Sequence, residues 1–543
     1  MPDLRRVAGL WLADFRQRIR SRRLVLVYVG VAALGYAVNV GDIELVLSGL
    51  QGQSQYRGAP TSEWTGAKAG LTAATAFLIG GFYLLNGRVD FDEGSGVGRL
   101  IASTPATDRE YLLGKWLSGV SLSVVILTVL AGATVANHLV HGTGPTDPVS
   151  LAVPVFLFGL PVAAVVTGLT LLFDTTPFLG NTLGSVVYFV VASALFGIQS
   201  LIVLAGDVPA LQAVVKAGDV VGYYSVYEAT LGAGRELLTD VSRPVVSFGV
   251  IPGEAEIFTW EGAPWPVWTY AQRAAVFLSG GVIASIAVLG FDRFSPTAGL
   301  DNVEFSTVDS LFEDDDAPTA PAEDPPTVTE VSPTSVTDAD AGGLGRLRRL
   351  FAAELRLAVR ELPTWWWGVT GLVAVVSLVP FVPVSLVRRW ALPVGLVLPM
   401  FVWSSMAVRP ARYRTKQLLF SAPSPVRQLL TEWLAGVTVG VVASAGPAVR
   451  IGLSSPTALL GVLGALAFAP AVALLSGVVS EGRQLFEVAY LSVWYFGPFN
   501  GFVPADFAGV TPAAVAAGWP LVYTLVGALA LAAAVGVRAR QTV

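Results

Sequence analysis

Twelve apolar runs, each long enough to cross a lipid bilayer, dominate this sequence. Six fall at 24–40, 67–87, 116–140, 149–173, 178–206 and 273–291. Six more fall at 364–386, 391–407, 431–449, 456–480, 484–505 and 517–537. A helix of about 17–25 apolar residues spans the ~30 Å hydrocarbon layer. Lipid offers no partner to a bare backbone amide, so runs of this kind are confined to helices. Of the 543 residues, 53% are hydrophobic and 13% charged, against roughly 25% charged in a soluble domain. That excludes an ordinary soluble enzyme, a disordered chain and a nucleic-acid binder. The 57 glycines and 34 prolines are better tolerated in membrane helices than in soluble ones.

Little in the chain could carry metal or covalent chemistry. It contains no cysteine, so disulfides, thiolate metal sites and a thiol nucleophile are excluded. Its two histidines, His138 and His141, lie at the end of the third run. Two ligands make a weak metal site, and a solvated loop pair is the expectation. Trp365, Trp366 and Trp367 head the seventh run as interface anchors. Glu487, the main charge inside a run, is expected to pair with Arg483.

The basic residues orient the runs. With the N-terminus in the cytoplasm, 25 of the 34 Lys+Arg fall on cytoplasmic segments and 9 on the outer side and span edges. Cytoplasmic loops carry the excess of Lys and Arg. Both termini are therefore expected inside a multi-pass cell-membrane protein. The charged stretch before the first run is too long for a signal peptide.

Segment 301–340 has twelve Asp+Glu and no Lys or Arg. Rich in Pro, Thr and Ser, it cannot bury enough apolar surface to fold, and it reads as a disordered cytoplasmic linker. Without its acids the remainder carries 34 Lys+Arg against 27 Asp+Glu, so the membrane body is basic although the chain's formal net charge is −5. The linker separates residues 1–300 from 341–543.

The two parts repeat one another. Leu4, Arg6, Leu10, Ala13, Arg16 and Arg20 recur 340 positions later as Leu344, Arg346, Leu350, Ala353, Arg356 and Arg360, and Asp14 becomes Glu354. Leu100, Ser103, Pro105, Arg109 and Leu112 recur 318 positions later as Leu418, Ser421, Pro423, Arg427 and Leu430. Trp116-Leu117 matches Trp433-Leu434, and Gly180, Leu183 and Tyr188 echo Gly482, Leu485 and Tyr490. The expected fold is an all-α polytopic membrane protein. Its twelve transmembrane helices form two parallel six-helix repeats, each preceded by an interfacial amphipathic helix.

Those leading helices are expected over 4–22 and 344–360. In the first, Leu4, Val7, Trp11, Phe15 and Ile19 share a face opposite Arg5, Arg16 and Arg20. In the second, Leu347, Phe351, Leu355 and Ala358 lie opposite Arg348, Arg349 and Arg356. A basic amphipathic helix lies in the membrane interface with its arginines near anionic head groups. Trp11, Arg16, Arg20, Phe351, Arg356 and Arg360 are the candidate interface residues. After the second span, segment 88–115 carries paired charges and is expected to end in a helix capped by Thr107 or Asp108. Segment 408–430 repeats the scheme. It lacks the Asp90, Asp92 and Glu93 cluster and carries Arg412, Arg414 and Lys416 instead. The outer loop 207–272 holds Tyr223, Tyr224, Tyr227, Trp260, Trp265 and Trp268, expected as belt residues.

An interfacial helix, a first span, and a second span followed by Leu-Ile-Ala-Ser-Thr-Pro and Glu-Tyr-Leu-Leu-Gly-Lys resembles the membrane subunits of type-2, export-class ABC transporters. The resemblance covers nearly the whole chain, as two fused permease units. It implies that the loops after span two are coupling segments, at 99–115 and 417–432, seated on separate ATP-hydrolysing subunits. Two such ATPase subunits are expected. Arg99, Pro105, Arg109, Glu110 and Lys115 are the implied contacts in the first copy, with Pro423 and Arg427 in the second. It further implies a translocation path lined by the second and fifth span of each repeat. The cargo is unidentified, and an apolar lining would suit an amphipathic one. No cofactor is expected on this chain, and ATP belongs to the partner. A P-loop needs Gly, four residues, then Gly-Lys-Ser/Thr. The only Gly-Lys, Gly114-Lys115, is followed by Trp116 and has Arg109 at the first glycine position. The chain is thus expected to be a permease and no hydrolase. A major-facilitator carrier shares the 6+6 layout, but it would need ionisable groups within its spans.

Overall fold

The computed structural model describes residues 3–21, 23–49, 55–95, 97–176, 179–180, 182–197, 208–238, 244–249, 251, 255–291, 343–412, 425–480 and 482–541. The chain separates into two compact units, Met1–Gly299 and Leu300–Val543. The linker 301–340 and Pro423 lie outside the described residues.

Among the described residues, eight helices are long and apolar enough to cross a membrane. In the first unit these are Ser62–Leu85, Asp108–His141, Pro148–Thr175 and Val267–Leu289. In the second they are Val384–Trp403, Val426–Ser454, Pro456–Ser480 and Trp519–Gln541. Shorter apolar helices occupy Val27–Val40, Thr182–Gly197 and Thr364–Leu378. The run 484–505 does not form one helix. It is helical over Gln484–Trp494, widens into a π-turn at Tyr495–Phe499 and ends in a 3₁₀ turn at Val503–Ala505. Pro498, Gly501 and Pro504 supply the break: proline removes a helical amide, and Gly501 takes a φ of +79°.

Within the first unit, Pro148–Thr175 is the hub, packed by Ser62–Leu85, Asp108–His141 and Val267–Leu289. Gly168 and Gly280 make one of these approaches possible. A Cβ on Gly168 would lie 2.3 Å from the Gly280 carbonyl oxygen. Small residues let membrane helices pack backbone to backbone in this way. Asp108–His141 has 34 residues and so runs about 50 Å. That exceeds the hydrocarbon layer, so its ends stand beyond it.

Two hydrogen bonds recur at repeat-related positions of the two units. Trp116 donates its indole N–H to the Ala164 carbonyl at 3.0 Å, and Trp433 donates to Ala467 at 3.1 Å. The Tyr188 hydroxyl donates to the Leu78 carbonyl, and Tyr490 donates to Leu396.

Among the described residues the fold departs from an all-α chain at one place. A four-stranded sheet is built from β1 (Glu44–Ser48), β2 (Tyr56–Gly58), β3 (Val245–Gly249) and β4 (Glu256–Phe258), in the order β3-β1-β2-β4. β1 pairs antiparallel with β2 and β3, and β2 pairs parallel with β4. Helices Pro209–Gly218 and Tyr223–Leu237 share the long loop with β3 and β4. Segment 207–272 is therefore an ordered α/β element where it is described. Trp64 is buried beneath β4 and meets Phe258 and Trp260 edge-on at 5.3 and 5.7 Å.

Two further expectations change, and a third, the pairing of Glu487 with Arg483, is met by a more deeply buried carboxylate than expected. His138 is not in a wet loop: it is buried in the last turn of Asp108–His141, with Nε2 3.2 Å from the Ser62 hydroxyl. The helix runs to His141 and ends at Gly142, where a Cβ would collide with the His138 ring at 2.5 Å. Trp366 is fully buried and donates to the Leu398 carbonyl at 2.9 Å, leaving only Trp365 and Trp367 exposed. Glu487 is fully buried, 3.9 Å from Arg483.

Candidate functional site

The candidate site of each unit is a buried ionic network joining the leading helix, the segment after the second span, and the third span. In the first unit three helices each contribute two polar groups spaced by four residues, which places each pair on one helix face. The helix Leu4–Ile19 supplies Asp14 and Arg18, Arg88–Ser95 supplies Arg88 and Asp92, and Asp108–His141 supplies Tyr111 and Lys115.

Lys115 is the centre. Its ammonium lies 2.6 Å from the Asp14 carboxylate and 2.7 Å from that of Asp92. Arg18 Nε donates to the other Asp14 oxygen at 2.5 Å, and the Tyr111 hydroxyl donates to Asp92 at 2.8 Å. Asp174, near the end of Pro148–Thr175, accepts the backbone N–H groups of Gly87 and Arg88 at 3.0 and 2.9 Å. Lys115, Asp14, Asp92 and Arg18 are all buried. Burial alone would raise the Asp14 pKa, but Arg18 and Lys115 outweigh it and hold the carboxyl at about 2. Arg88 is pushed down to about 10, chiefly by burial and by Arg18, against the pull of Asp14, Asp92 and Asp174.

A second tie fixes the start of the leading helix. Thr107 caps Asp108–His141 in a capping box with Glu110, which satisfies amides that a helix start leaves bare. The Glu110 carboxylate also accepts the Asp3 backbone N–H at 2.7 Å, and Arg6 donates to the Pro105 carbonyl at 2.8 Å. Gly114 lets the two helices close up, since a Cβ there would stand 2.9 Å from the Leu10 Cβ.

The second unit builds the same junction with the charges exchanged. Glu354 stands where Asp14 stands, and Glu432, one residue before Trp433, stands where Lys115 precedes Trp116. The base comes instead from the segment after the second span. Arg409 Nη1 lies 3.5 Å from Glu354 and 3.7 Å from Glu432, and Arg409 grips Glu361 through Nε at 2.9 Å and Nη2 at 3.2 Å. Gln428 donates to Glu354 at 3.1 Å, and the Ala407 N–H donates to Glu432 at 2.8 Å. Burial raises the Glu354 pKa above its ordinary value, against the pull of Gln428 and Arg409.

The sequence-derived residues distribute as follows. Pro105, Arg109 and Arg427 are exposed. Glu110 and Lys115 are buried in contacts within the chain. The side chain of Arg99 lies outside the described residues, as does Pro423. Trp11 is half-buried and donates to the Ser121 hydroxyl at 2.9 Å. Arg16, Arg20, Arg356 and Arg360 are exposed, and Phe351 is half-buried. The face that the first leading helix buries holds Val7, Asp14 and Arg18, while Leu4, Leu12 and Ile19 are exposed.

No family model matches the chain, and no curated protein matches it.

Among the described residues no group of three or more His, Asp or Glu could hold a metal ion. The arrangement ties the segment after span two to both the leading helix and the next long helix, through Lys115 in one unit and Arg409 in the other.

Proposed function

We propose that the chain is the membrane-spanning permease of an ATP-driven exporter of the ABC class, two permease units fused into one. Its cargo is an unidentified amphipathic molecule. ATP binds and is hydrolysed on two separate ATPase subunits that seat on the segments after the second span of each unit. Both termini face the cytoplasm with those segments.

The observation that carries this reading is the junction built twice. In each unit a segment that presents exposed groups, Pro105 and Arg109 or Arg427, leads directly into the third span. The same segment is tied by buried charge to the leading helix. Push or pull on the exposed turn is therefore delivered to a rigid transmembrane element and is not lost in a loose connector. Because the two junctions use opposite polarity, the two ATPase seats are unequal.

The test is charge reversal. Arg109→Glu with Arg427→Glu removes positive charge from both seats without touching the buried networks. The purified wild-type chain is expected to carry a P-loop ATPase with it, and the double variant is expected to lose it. An undiminished complex with undiminished ATP-driven transport would sink the assignment. Transport that survives ATP depletion and collapses with the proton gradient would replace it with a secondary carrier.

A further inference from the structure

The end of the second unit opposite its ionic network carries a different kind of charge. Glu432 and Arg450 are eighteen residues apart on Pro425–Ser454, hence about 27 Å along its axis. Arg450 therefore stands at the other membrane surface. Arg388 and Arg389 join it there, in the π-turn Val387–Ala391 near the start of Val384–Trp403, and this turn packs on Pro425–Ser454. A π-turn inside an α-helix is frequently found at a functional site.

Two of these arginines face backbone and the third, Arg389, lies over the Trp390 ring at 5.7 Å. Arg388 donates to the Gly509 carbonyl at 3.1 Å, and Arg450 donates to those of Pro380 and Val382 at 3.1 and 3.4 Å. The Arg389 guanidinium stands 3.7 Å from where a Cβ on Gly501 would lie. Among the described residues none of the three has a carboxylate within ion-pair distance. The nearby acid, Asp506, is fully buried and accepts from Val510 N–H, Thr511 N–H and the Thr511 hydroxyl. The Nε–H groups of Arg388 and Arg450 are buried and have no hydrogen-bond partner. A buried donor left without a partner calls for an ion or ligand. Arginine on this surface also runs against the inward bias of basic residues, so three together need a positive reason.

Depth identifies the ligand. Trp390 is 55% exposed beside Arg389 and meets Phe499 edge-on at 5.9 Å. Phe499 stacks in turn on the half-buried Tyr495 at 5.8 Å and on the buried Trp494 at 5.2 Å, which anchors the cluster to the fold by donating to the Pro393 carbonyl. Phe381, between the Arg450 acceptors Pro380 and Val382, is 86% exposed. A belt of Trp and Tyr sits at head-group level, and the guanidinium fork matches phosphate oxygens. We infer that Arg388, Arg389 and Arg450 form a phosphate-binding site for the head group of an anionic phospholipid in that leaflet.

The test uses the full chain in detergent, with dioleoylphosphatidylglycerol, dioleoylphosphatidylcholine and inorganic phosphate as probes. Bound lipid is counted by native mass spectrometry, and the apparent affinity is read from the titration. Arg388→Gln/Arg389→Gln/Arg450→Gln is expected to weaken phosphatidylglycerol binding about a hundredfold, roughly fivefold per arginine. Arg16→Gln/Arg356→Gln, at the other surface, is expected to leave this site filled. Should the triple variant fail to fold, Arg389→Gln alone suffices: its side chain is exposed, and the roughly fivefold loss remains readable. Equal retention of phosphatidylglycerol and phosphatidylcholine by wild type, or unchanged binding in the variants, would overturn the site. Displacement of phosphatidylglycerol by millimolar inorganic phosphate would overturn the lipid as its occupant.

Discussion

At the residue scale, Lys115 and Arg409 do the joining. Each is a base shared between carboxylates that lie on different helices. Removing one partner of a buried ion pair strands the other, at a cost of about 3–5 kcal/mol. Lys115→Met is therefore expected to lower stability by that amount in thermal or denaturant unfolding. The exposed Arg109→Gln, two turns earlier, should stay within about 0.5 kcal/mol of wild type. Similar losses in both would show that the network contributes nothing special. The two junctions also respond differently to acid. Asp14 has a folded pKa lowered to about 2, so its contribution is full above its ordinary value of 3.8 and falls away only toward pH 2. Glu354 has a raised folded pKa, so its ionisation costs stability at neutral pH, and that cost is relieved as pH falls through the raised value. Hydrogen exchange, normalised for intrinsic rate, is expected to show Gly343–Arg360 gaining protection on mild acidification while Leu4–Ile19 stays unchanged. Loss of protection in Gly343–Arg360 would contradict this. Asp14 and Glu354 were visible in sequence as a matched pair 340 positions apart. Lys115 and Glu432 were not, because a repeat is sought as like matching like and here the sign is reversed.

At the element scale, the helices were legible and the surroundings less so. Apolar length located eight of the twelve expected spans as membrane-length helices among the described residues, and of the two caps offered, Thr107 and Asp108, the structure uses Thr107. Thr107→Ala is expected to cost about 1 kcal/mol through the lost cap. A matching rise in hydrogen exchange should be confined to the first turn of Asp108–His141 and the Asp3 amide. The hydroxyls of Tyr188 and Tyr490 offer a symmetric check, since each bridges to a carbonyl at a repeat-related position. Tyr188→Phe and Tyr490→Phe should each cost roughly 1 kcal/mol, and a large loss in only one would show that the shared contact does not do equal duty. The leading helix was read by its apolar stripe, yet the face it buries holds Asp14 and Arg18. Hydropathy counts a charge as solvent-facing and cannot see that its partner, Lys115, arrives from 101 residues away. The sheet was missed for a related reason. β1 is buried along its whole length and does not alternate, and its partner β3 lies about two hundred residues further on.

At the scale of the whole molecule, each unit is a set of membrane helices whose third span is gripped from outside the hydrocarbon layer by a charged junction. In the proposed function this junction receives work done on a separate ATPase, and the exposed Arg109 and Arg427 beside it are the proposed points of contact. The chain's lack of cysteine makes that contact directly measurable, because one introduced thiol is unique. Arg109→Cys and Arg427→Cys would each be labelled with a maleimide photo-crosslinker in the chain's native membranes. Val140→Cys serves as reference: it is 76% exposed and lies about 45 Å along the same helix from residue 109. A covalent adduct with a P-loop ATPase is expected from positions 109 and 427 and none from 140. Adducts absent at both positions, or equally abundant from position 140, would contradict the proposed contact.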